Sequence, residues 1–214
     1  MKNHERVFRP LRGGVMIFNQ RLGVPGTLGL IVTADGADRW ILSCFHVLCA
    51  ADGAADSIYQ PIDNPEGLVA VVDPTRANRG RDCAAARIAP GVASVAEILG
   101  IGPVGAPAEP IEGMRVLKSG AATGVTEGVI TRVEITGVEI EPDGLPADYE
   151  MSDAGDSGAV WVTREGNRPV ALHQRGIESP KRLAYGLPFL EALRLLRLEP
   201  VTVSAVAARG SMNP

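Results

Sequence analysis

The chain has 214 residues, of which 45% are hydrophobic and 21% charged, and this composition is typical of a globular protein rather than a disordered one. Its formal net charge of -4 argues against nucleic acid or an anionic membrane as the main partner. No apolar run approaches the roughly 18 residues that a membrane-spanning helix needs. Glycine and proline are frequent while aromatic residues make up only 4%, which favours many short strands joined by turns.

Short apolar runs separated by turn residues predict β-strands in the first half of the chain. Residues 27–34 and 39–48 flank the turn sequence DGAD and predict a hairpin that leads into a short helical turn. Two further strands are predicted at 67–74 and 83–89. The stretch 100–113, GIGPVGAPAEPIEG, is rich in glycine and proline and has no periodicity, which is typical of a linker between two halves.

The second half repeats this pattern and then changes period. Strands are predicted at 114–120, 128–135, 158–163, 169–176 and 183–189. In FLEALRLLRL (189–198) the leucine spacing suits an amphipathic helix that ends before Pro200. The pattern predicts an all-β protein with two packed antiparallel barrels, although periodicity alone does not distinguish them from one larger sandwich.

These runs divide the chain into six predicted parts. They are an N-terminal extension (1–25), a first barrel (26–99), the linker (100–113), a second barrel (114–188), a helix (189–199) and a tail (200–214).

The N-terminus and the cysteines bear on the compartment. The first ten residues, MKNHERVFRP, lack the apolar segment of a secretory signal, which favours a cytoplasmic location. Cys44, Cys49 and Cys83 cannot all pair within one chain, so we expect reduced thiols in a reducing compartment. Their spacing is not that of a zinc site, and we interpret them as small buried apolar residues. Nothing in the sequence calls for a metal or an organic cofactor.

Three side chains in these segments have simple structural interpretations when each is taken alone. Ser157 lies in AGDSGAV, whose glycines and aspartate are usual turn formers. His46, in SCFHVLCAADG, suits a packed core histidine, and Asp82, in GRDCAAARI, suits a turn or a solvated acid. Together they supply what nucleophilic acyl transfer needs, namely a hydroxyl, a base and an acid that orients the base. A glycine-rich turn can also aim two backbone amides at a developing oxyanion.

The order His, Asp, Ser resembles that of the trypsin-like (chymotrypsin-fold) serine peptidases. HV ends a strand, RDCAAARI enters one and GDSGA begins another, as in that family. The stretch 116–133, VLKSGAATGVTEGVITRV, resembles the start of the second barrel in bacterial members, including the glutamyl-endopeptidase branch. The resemblance extends over about residues 26–198. It implies two packed six-stranded antiparallel β-barrels, chymotrypsin-like, with a C-terminal α-helix.

The resemblance also implies roles for the individual residues. Ser157 would be the nucleophile, His46 the general base and then acid, and Asp82 the residue that orients the imidazole. Gly155 and Ser157 would donate the amides of the oxyanion hole. The Ile-Val-Gly-Gly N-terminus of activated relatives is absent, so we expect Asp156 to pair with a group other than a freed amino terminus.

The specificity pocket, S1, is implied to lie between residues 149–154 and 171–176. Met151 stands where a trypsin-type enzyme carries an acid, which disfavours cleavage after Lys or Arg. VALHQRG resembles the G-I-H-x-G-G stretch of glutamyl endopeptidases, and this predicts His173, helped by Arg175, as the reader of an acidic residue before the cleaved bond (P1). The alternative is a satisfied strand histidine beside a solvated arginine.

Three functional hypotheses follow. The first is an active serine endopeptidase that cleaves an intracellular protein or peptide, with no nucleic-acid or membrane partner. The second is a binding or regulatory module of the same fold, in which Phe45 or a loop keeps the triad unformed until an activating partner binds. The third, an esterase or acyltransferase, would use the same residues.

Overall fold

The computed structural model describes residues 6–50, 54–61, 65–146, 148–177 and 183–201. The strands are β1 (Leu11–Gly13), β2 (Met16–Asn19), β3 (Val24–Thr27), β4 (Leu30–Thr33), β5 (Trp40–Ser43), β6 (Ser57–Tyr59), β7 (Leu68–Asn78), β8 (Cys83–Ile88), β9 (Ser94–Ile98), β10 (Gly102–Pro103), β11 (Arg115–Gly120), β12 (Gly124–Glu134), β13 (Gly137–Glu141), β14 (Val160–Thr163), β15 (Pro169–Gly176), β16 (Ala184–Pro188) and β17 (Glu199–Pro200). The helices are α1 (Phe45–Leu48) and α2 (Phe189–Leu196). None of the described helices is long and apolar enough to cross a membrane.

The second half forms a closed six-stranded barrel in the order β11-β12-β13-β16-β15-β14. Neighbouring strands are antiparallel, and inward and outward residues alternate along β12, as the period of two requires. Trp161 is the largest side chain fully buried in its core. The predicted six-stranded second barrel is therefore present.

The first half is a curled sheet rather than a closed barrel. Eight strands pair in the order β17-β4-β5-β8-β7-β6-β2-β3, so β17 and β3 remain as edges. The pairing of β7 with β8 shifts register between Val72 and Ala77, and irregularities of this kind bend a sheet. The predicted all-β fold class is confirmed, but the first unit departs from the expected six-stranded barrel in strand number and closure.

Strands also lie outside the segment predicted for the first unit. β1, β2 and half of β3 fall within the predicted N-terminal extension, and β17 begins in the last residue of the predicted helix and ends in the tail. The start of the predicted linker forms β10, which pairs with β9. These strands have two to four residues, too few for an alternating pattern to mark them. The rest of the predicted tail, 202–214, and His4 lie outside the described residues.

Helix α2 packs on the first sheet, although it follows the second barrel in the chain. Its buried face joins a core that also contains Val160 and Leu172 of the barrel, so the two halves share apolar packing. The helix ends at Leu196, before the predicted 199, because Arg197 adopts a left-handed conformation with φ 54°. Arg76 on β7 donates to the carbonyls of Leu196 and Arg197, at 2.6 and 2.7 Å.

Candidate active site

His46 and Asp82 are brought together at one end of the first sheet. His46 lies on α1 directly after β5, and Asp82 ends the turn that leads into β8. The Asp82 carboxylate accepts the backbone N–H of His46 at 3.0 Å and lies 2.8 Å from the imidazole Nδ1. A carboxylate at this distance holds the proton on Nδ1, which leaves Nε2 as the basic nitrogen of the neutral ring.

The turn before Asp82 is built locally and then tied to the second half. Asn78 Oδ1 accepts the N–H of Arg81 at 2.9 Å, and Asp82 has a φ of +48°, a conformation that aspartate tolerates better than most residues. From the barrel, Gln174 Nε2 donates to the Arg81 carbonyl at 2.7 Å. Arg81 in turn donates to the carbonyl of Ile135 at 2.7 Å. These bonds hold the Asp82 turn against the barrel.

Ser157 lies in a turn whose glycines are required by their surroundings. Gly155 and Gly158 have φ of +104° and +94°, which disfavour any residue with a Cβ. A Cβ on Gly158 would also collide with the Ser43 side chain and the Thr27 carbonyl. The Ser157 carbonyl accepts the N–H of Thr27 at 2.8 Å, so the turn is anchored on the first sheet.

Two backbone donors of this turn are unused. Among the described residues, the N–H groups of Gly155 and Ser157 make no hydrogen bond, and both residues are half-buried. Backbone N–H groups that have no partner within the protein can donate to an acceptor that enters from outside. Two of them, separated by one residue, can bind an anionic oxygen.

The three residues line one cleft of about 720 Å³ between the two halves. The Ser157 hydroxyl donates to the carbonyl of Gln174 at 3.0 Å, and no hydrogen bond joins it to His46 in the described part of the chain. The structure thus places His46, Asp82 and Ser157 around a common space, with the first two hydrogen-bonded and the serine turned to β15.

Asp156, beside Ser157, pairs with Lys118, which confirms the expectation of a partner other than the amino terminus. Lys118 Nζ lies 2.8 Å from Asp156 Oδ2, and both side chains are fully buried. Thr123 donates its hydroxyl to the same carboxylate at 2.7 Å. Burial alone would raise the pKa of Asp156, but Lys118 and Thr123 outweigh it and hold the pKa below its usual value. Burial lowers the pKa of Lys118, and Asp156 offsets part of this effect.

His173 is buried and hydrogen-bonded on both ring nitrogens. Its Nδ1 accepts the indole N–H of Trp161 at 3.3 Å, which places the proton of the neutral ring on Nε2, 3.1 Å from Ser152 Oγ. Burial, followed by the nearby charge of Lys118, lowers the pKa of His173 to about 3. His173 is therefore uncharged at neutral pH.

The two segments predicted to form the S1 walls contact each other. Met151, Ser152 and His173 are buried and none of them lines the cleft. Gly176 lies close to Ser152, since a Cβ built on this glycine would lie 2.5 Å from Ser152 Oγ. Arg175 differs, because it is exposed and lines the cleft with its guanidinium 4.9 Å from the Tyr185 ring.

The three cysteines are free and buried, as predicted. Burial, followed by nearby carboxylate charge, raises the pKa of Cys49 and of Cys83 to about 12. Potential ligand atoms of Cys44, His46 and Asp82 lie within 4.8 Å of one another. Burial raises the pKa of Cys44 well above its usual value, which opposes the thiolate that a metal would need.

No protein-family model and no curated protein matches the chain. Among solved structures, a glutamic-acid-specific serine protease that uses a histidine triad in substrate binding aligns with a TM-score of 0.69 and 20% identity, over 89% of this chain and 100% of that one. Thermobifida fusca protease A aligns with a TM-score of 0.69 and 18% identity, over 89% and 98%. The α-lytic protease homologue N4 aligns with a TM-score of 0.67 and 23% identity, over 88% and 98%.

The chain has the chymotrypsin-like fold. The resemblance inferred from the sequence is thus confirmed for the fold, with bacterial serine proteases as structural neighbours. In this chymotrypsin-like chain, the curled sheet supplies His46 and Asp82, the barrel supplies Ser157, and the cleft lies between them.

Sequence reasoning missed Lys118 and Gln174. A signal for Lys118 exists, since alternation along β11 from the buried Val116 places Lys118 on the same inward face. A lone lysine at an inward position needs a buried partner. No comparable signal marks Gln174, whose partner Arg81 lies 93 residues away.

Proposed function

We propose that the chain is a serine endopeptidase that hydrolyses peptide bonds through an acyl-enzyme intermediate, with His46, Asp82 and Ser157 as its triad. The observation that carries the proposal is one cleft lined by the hydrogen-bonded His46–Asp82 pair and by Ser157, whose own N–H and that of Gly155 are unused. The chymotrypsin-like fold supports it, because the structural neighbours reported above are serine proteases.

Each residue has a defined part in the proposed reaction. The Ser157 hydroxyl turns from the Gln174 carbonyl to His46 Nε2, gives up its proton and forms a bond to the substrate carbonyl carbon. The oxygen that becomes negative accepts the N–H groups of Gly155 and Ser157. His46 then donates the proton to the leaving amine, and the same base activates the water that releases the acyl group. The Asp82 carboxylate accepts the Nδ1–H of the imidazolium and keeps the ring in place.

The test of the proposal is the variant Ser157→Ala. We expect peptide hydrolysis to fall by several orders of magnitude, because the nucleophile is lost, while the circular dichroism spectrum and the melting temperature stay close to those of the wild type. A fluorophosphonate should label the wild type stoichiometrically at Ser157 and leave the variant unlabelled. Hydrolysis that persists at the wild-type rate in Ser157→Ala would sink the proposal.

The finer part of the proposal is a preference for acidic side chains close to the cleaved bond. Support comes from VALHQRG and from the exposed Arg175 in the cleft. The glutamate-specific neighbour uses a histidine triad, but this chain has only three histidines, one of which contacts Asp82. A separate histidine triad is therefore impossible, and acid recognition here needs another group. Cleavage of a peptide library without enrichment of Glu or Asp would refute this preference.

A partner-activated module is the second candidate, and two observations favour it. The Ser157 hydroxyl donates a hydrogen bond to the Gln174 carbonyl, and Met151 and His173, expected in S1, are buried and do not line the cleft. Phe45, by contrast, packs against the core and does not line the cleft. Fluorophosphonate labelling that requires a partner protein would support this candidate, whereas labelling of the isolated chain supports the active enzyme.

We propose an intracellular protein or peptide as substrate, in a cytoplasmic setting, in keeping with three free buried cysteines.

A further inference from the structure

The cleft contains two arginines in different electrostatic situations. Arg132 is paired with Glu134 at 2.6 Å, and Glu139 lies opposite Arg132 in the register of β12 and β13. Its charge is therefore already neutralised by carboxylates of the protein. Arg132, Glu134 and Glu139 together leave no free positive charge on that side of the cleft.

The side chain of Arg175 makes no hydrogen bond or ion pair with any described residue, while its backbone lies opposite Tyr185 in the pairing of β15 with β16. Its guanidinium lies 4.9 Å from the centre of the Tyr185 ring, and stacking of this kind orients the planar group while its N–H donors stay free. The side chain is exposed and lines the cleft. Arg175 also follows Gln174, whose carbonyl accepts the Ser157 hydroxyl at 3.0 Å. The Arg175 guanidinium is thus an oriented cation without a carboxylate partner, and it lies in the cleft next to Gln174, the residue that Ser157 contacts.

His173 is a poor reader of acidic side chains in comparison. It is 1% exposed, its two nitrogens are occupied by Trp161 and Ser152, and it does not line the cleft. A substrate carboxylate in the cleft therefore does not meet the His173 ring in this arrangement.

We propose that Arg175 binds a carboxylate side chain of the peptide substrate and thereby selects substrates with Glu or Asp close to the cleaved bond. This inference rests on the proposed peptidase function and assigns acid recognition to Arg175 instead of His173. A guanidinium binds a carboxylate through two parallel N–H···O bonds, a geometry that neither an amide nor a hydroxyl of similar size reproduces.

The test begins with a peptide library that locates the acidic position and continues with matched peptides carrying Glu or Gln there. We expect the wild type to cleave the Glu peptide about tenfold or more faster in kcat/KM, the range for a hydrogen bond to a charged group. In Arg175→Gln the two peptides should be cleaved equally, and Arg175→Lys should keep a smaller preference. Arg175→Glu should instead favour a Lys peptide. Arg164→Gln, an exposed arginine paired with Glu127 outside the cleft, is the control and should keep the wild-type ratio.

Fluorophosphonate labelling of every variant separates this inference from the proposed function. A labelled wild type with no Glu preference, or with a preference that survives in Arg175→Gln, overturns the role of Arg175 and leaves the peptidase intact. A preference that survives in Arg175→Gln but is lost in His173→Gln would return acid recognition to His173. Absence of both labelling and cleavage in the wild type would overturn both proposals.

Discussion

The region around His46 and the region around His173 contain the same side chain in opposite surroundings. The His46 side chain is 46% exposed and contacts a carboxylate, whereas His173 is 1% exposed and contacts a hydroxyl and an indole. Burial keeps His173 neutral, whereas His46 is open to the cleft and lies beside a carboxylate. The difference separates a candidate catalyst from a buried histidine whose ring nitrogens are both hydrogen-bonded, although both follow apolar segments of the sequence.

The largest expected effect is a loss of catalytic activity, and it concerns the region around His46. Asp82→Asn should lower kcat/KM by about 10⁴, because an amide no longer holds the His46 proton on Nδ1. Steady-state kinetics on a library-selected peptide measure the loss. Asp38→Asn, at an exposed aspartate paired with Arg87, is the matched control and should keep wild-type kinetics. Near-normal activity in Asp82→Asn would remove the functional distinction between the two regions.

The next effect concerns the buried region, where Lys118 and Asp156 form an ion pair close to Ser157. Lys118→Met should lower the free energy of unfolding by about 3–5 kcal/mol, because it leaves the Asp156 carboxylate buried and unpaired. Denaturant unfolding measures the change. The double variant Lys118→Met/Asp156→Asn should recover part of the loss. Arg115→Met, which breaks the exposed ion pair of Arg115 with Asp143, is the control and should change the free energy of unfolding little. Equal losses in the single and double variants would contradict the prediction.

The smallest effect, when it is taken per pH unit, is the pH dependence that His173 contributes to stability. Because its folded pKa is lowered to about 3, the unfolded chain binds a proton below about pH 6.5 that the folded chain does not bind. The free energy of unfolding should therefore fall by about 1.4 kcal/mol per pH unit between about pH 6 and the folded pKa.

His173→Gln is the matched variant for this measurement. Its amide oxygen can accept from Trp161 and its amide nitrogen can donate to Ser152, but it does not titrate. Subtracting the variant's unfolding free energies from those of the wild type at each pH removes the other groups. A difference that stays constant from pH 7 to pH 4 would mean that His173 is accessible to protons in the folded state.

The prediction from sequence succeeded where the signal was local. Helix α2 followed from leucine spacing, and the turn at Ser157 followed from GDSG, whose two glycines adopt positive φ. The second barrel followed from alternation along strands such as β12. The first unit was predicted less well, because strands of two to four residues such as β1 and β17 carry too little pattern. The predicted roles of Met151 and His173 in S1 stay predictions, with both side chains buried away from the cleft.

By itself, the sequence determined the chemistry that His46, Asp82 and Ser157 offer and the reduced state expected of three cysteines, because residue types and turn propensities are local properties. Only the tertiary structure decided which groups share the cleft. The pairing of Lys118 with Asp156 joins residues 38 positions apart, and that of Gln174 with Arg81 joins residues 93 apart. Such contacts depend on how the sheet and the barrel pack, and so does the absence of a carboxylate partner for Arg175 among the described residues. This packing cannot be predicted from any short segment of the sequence.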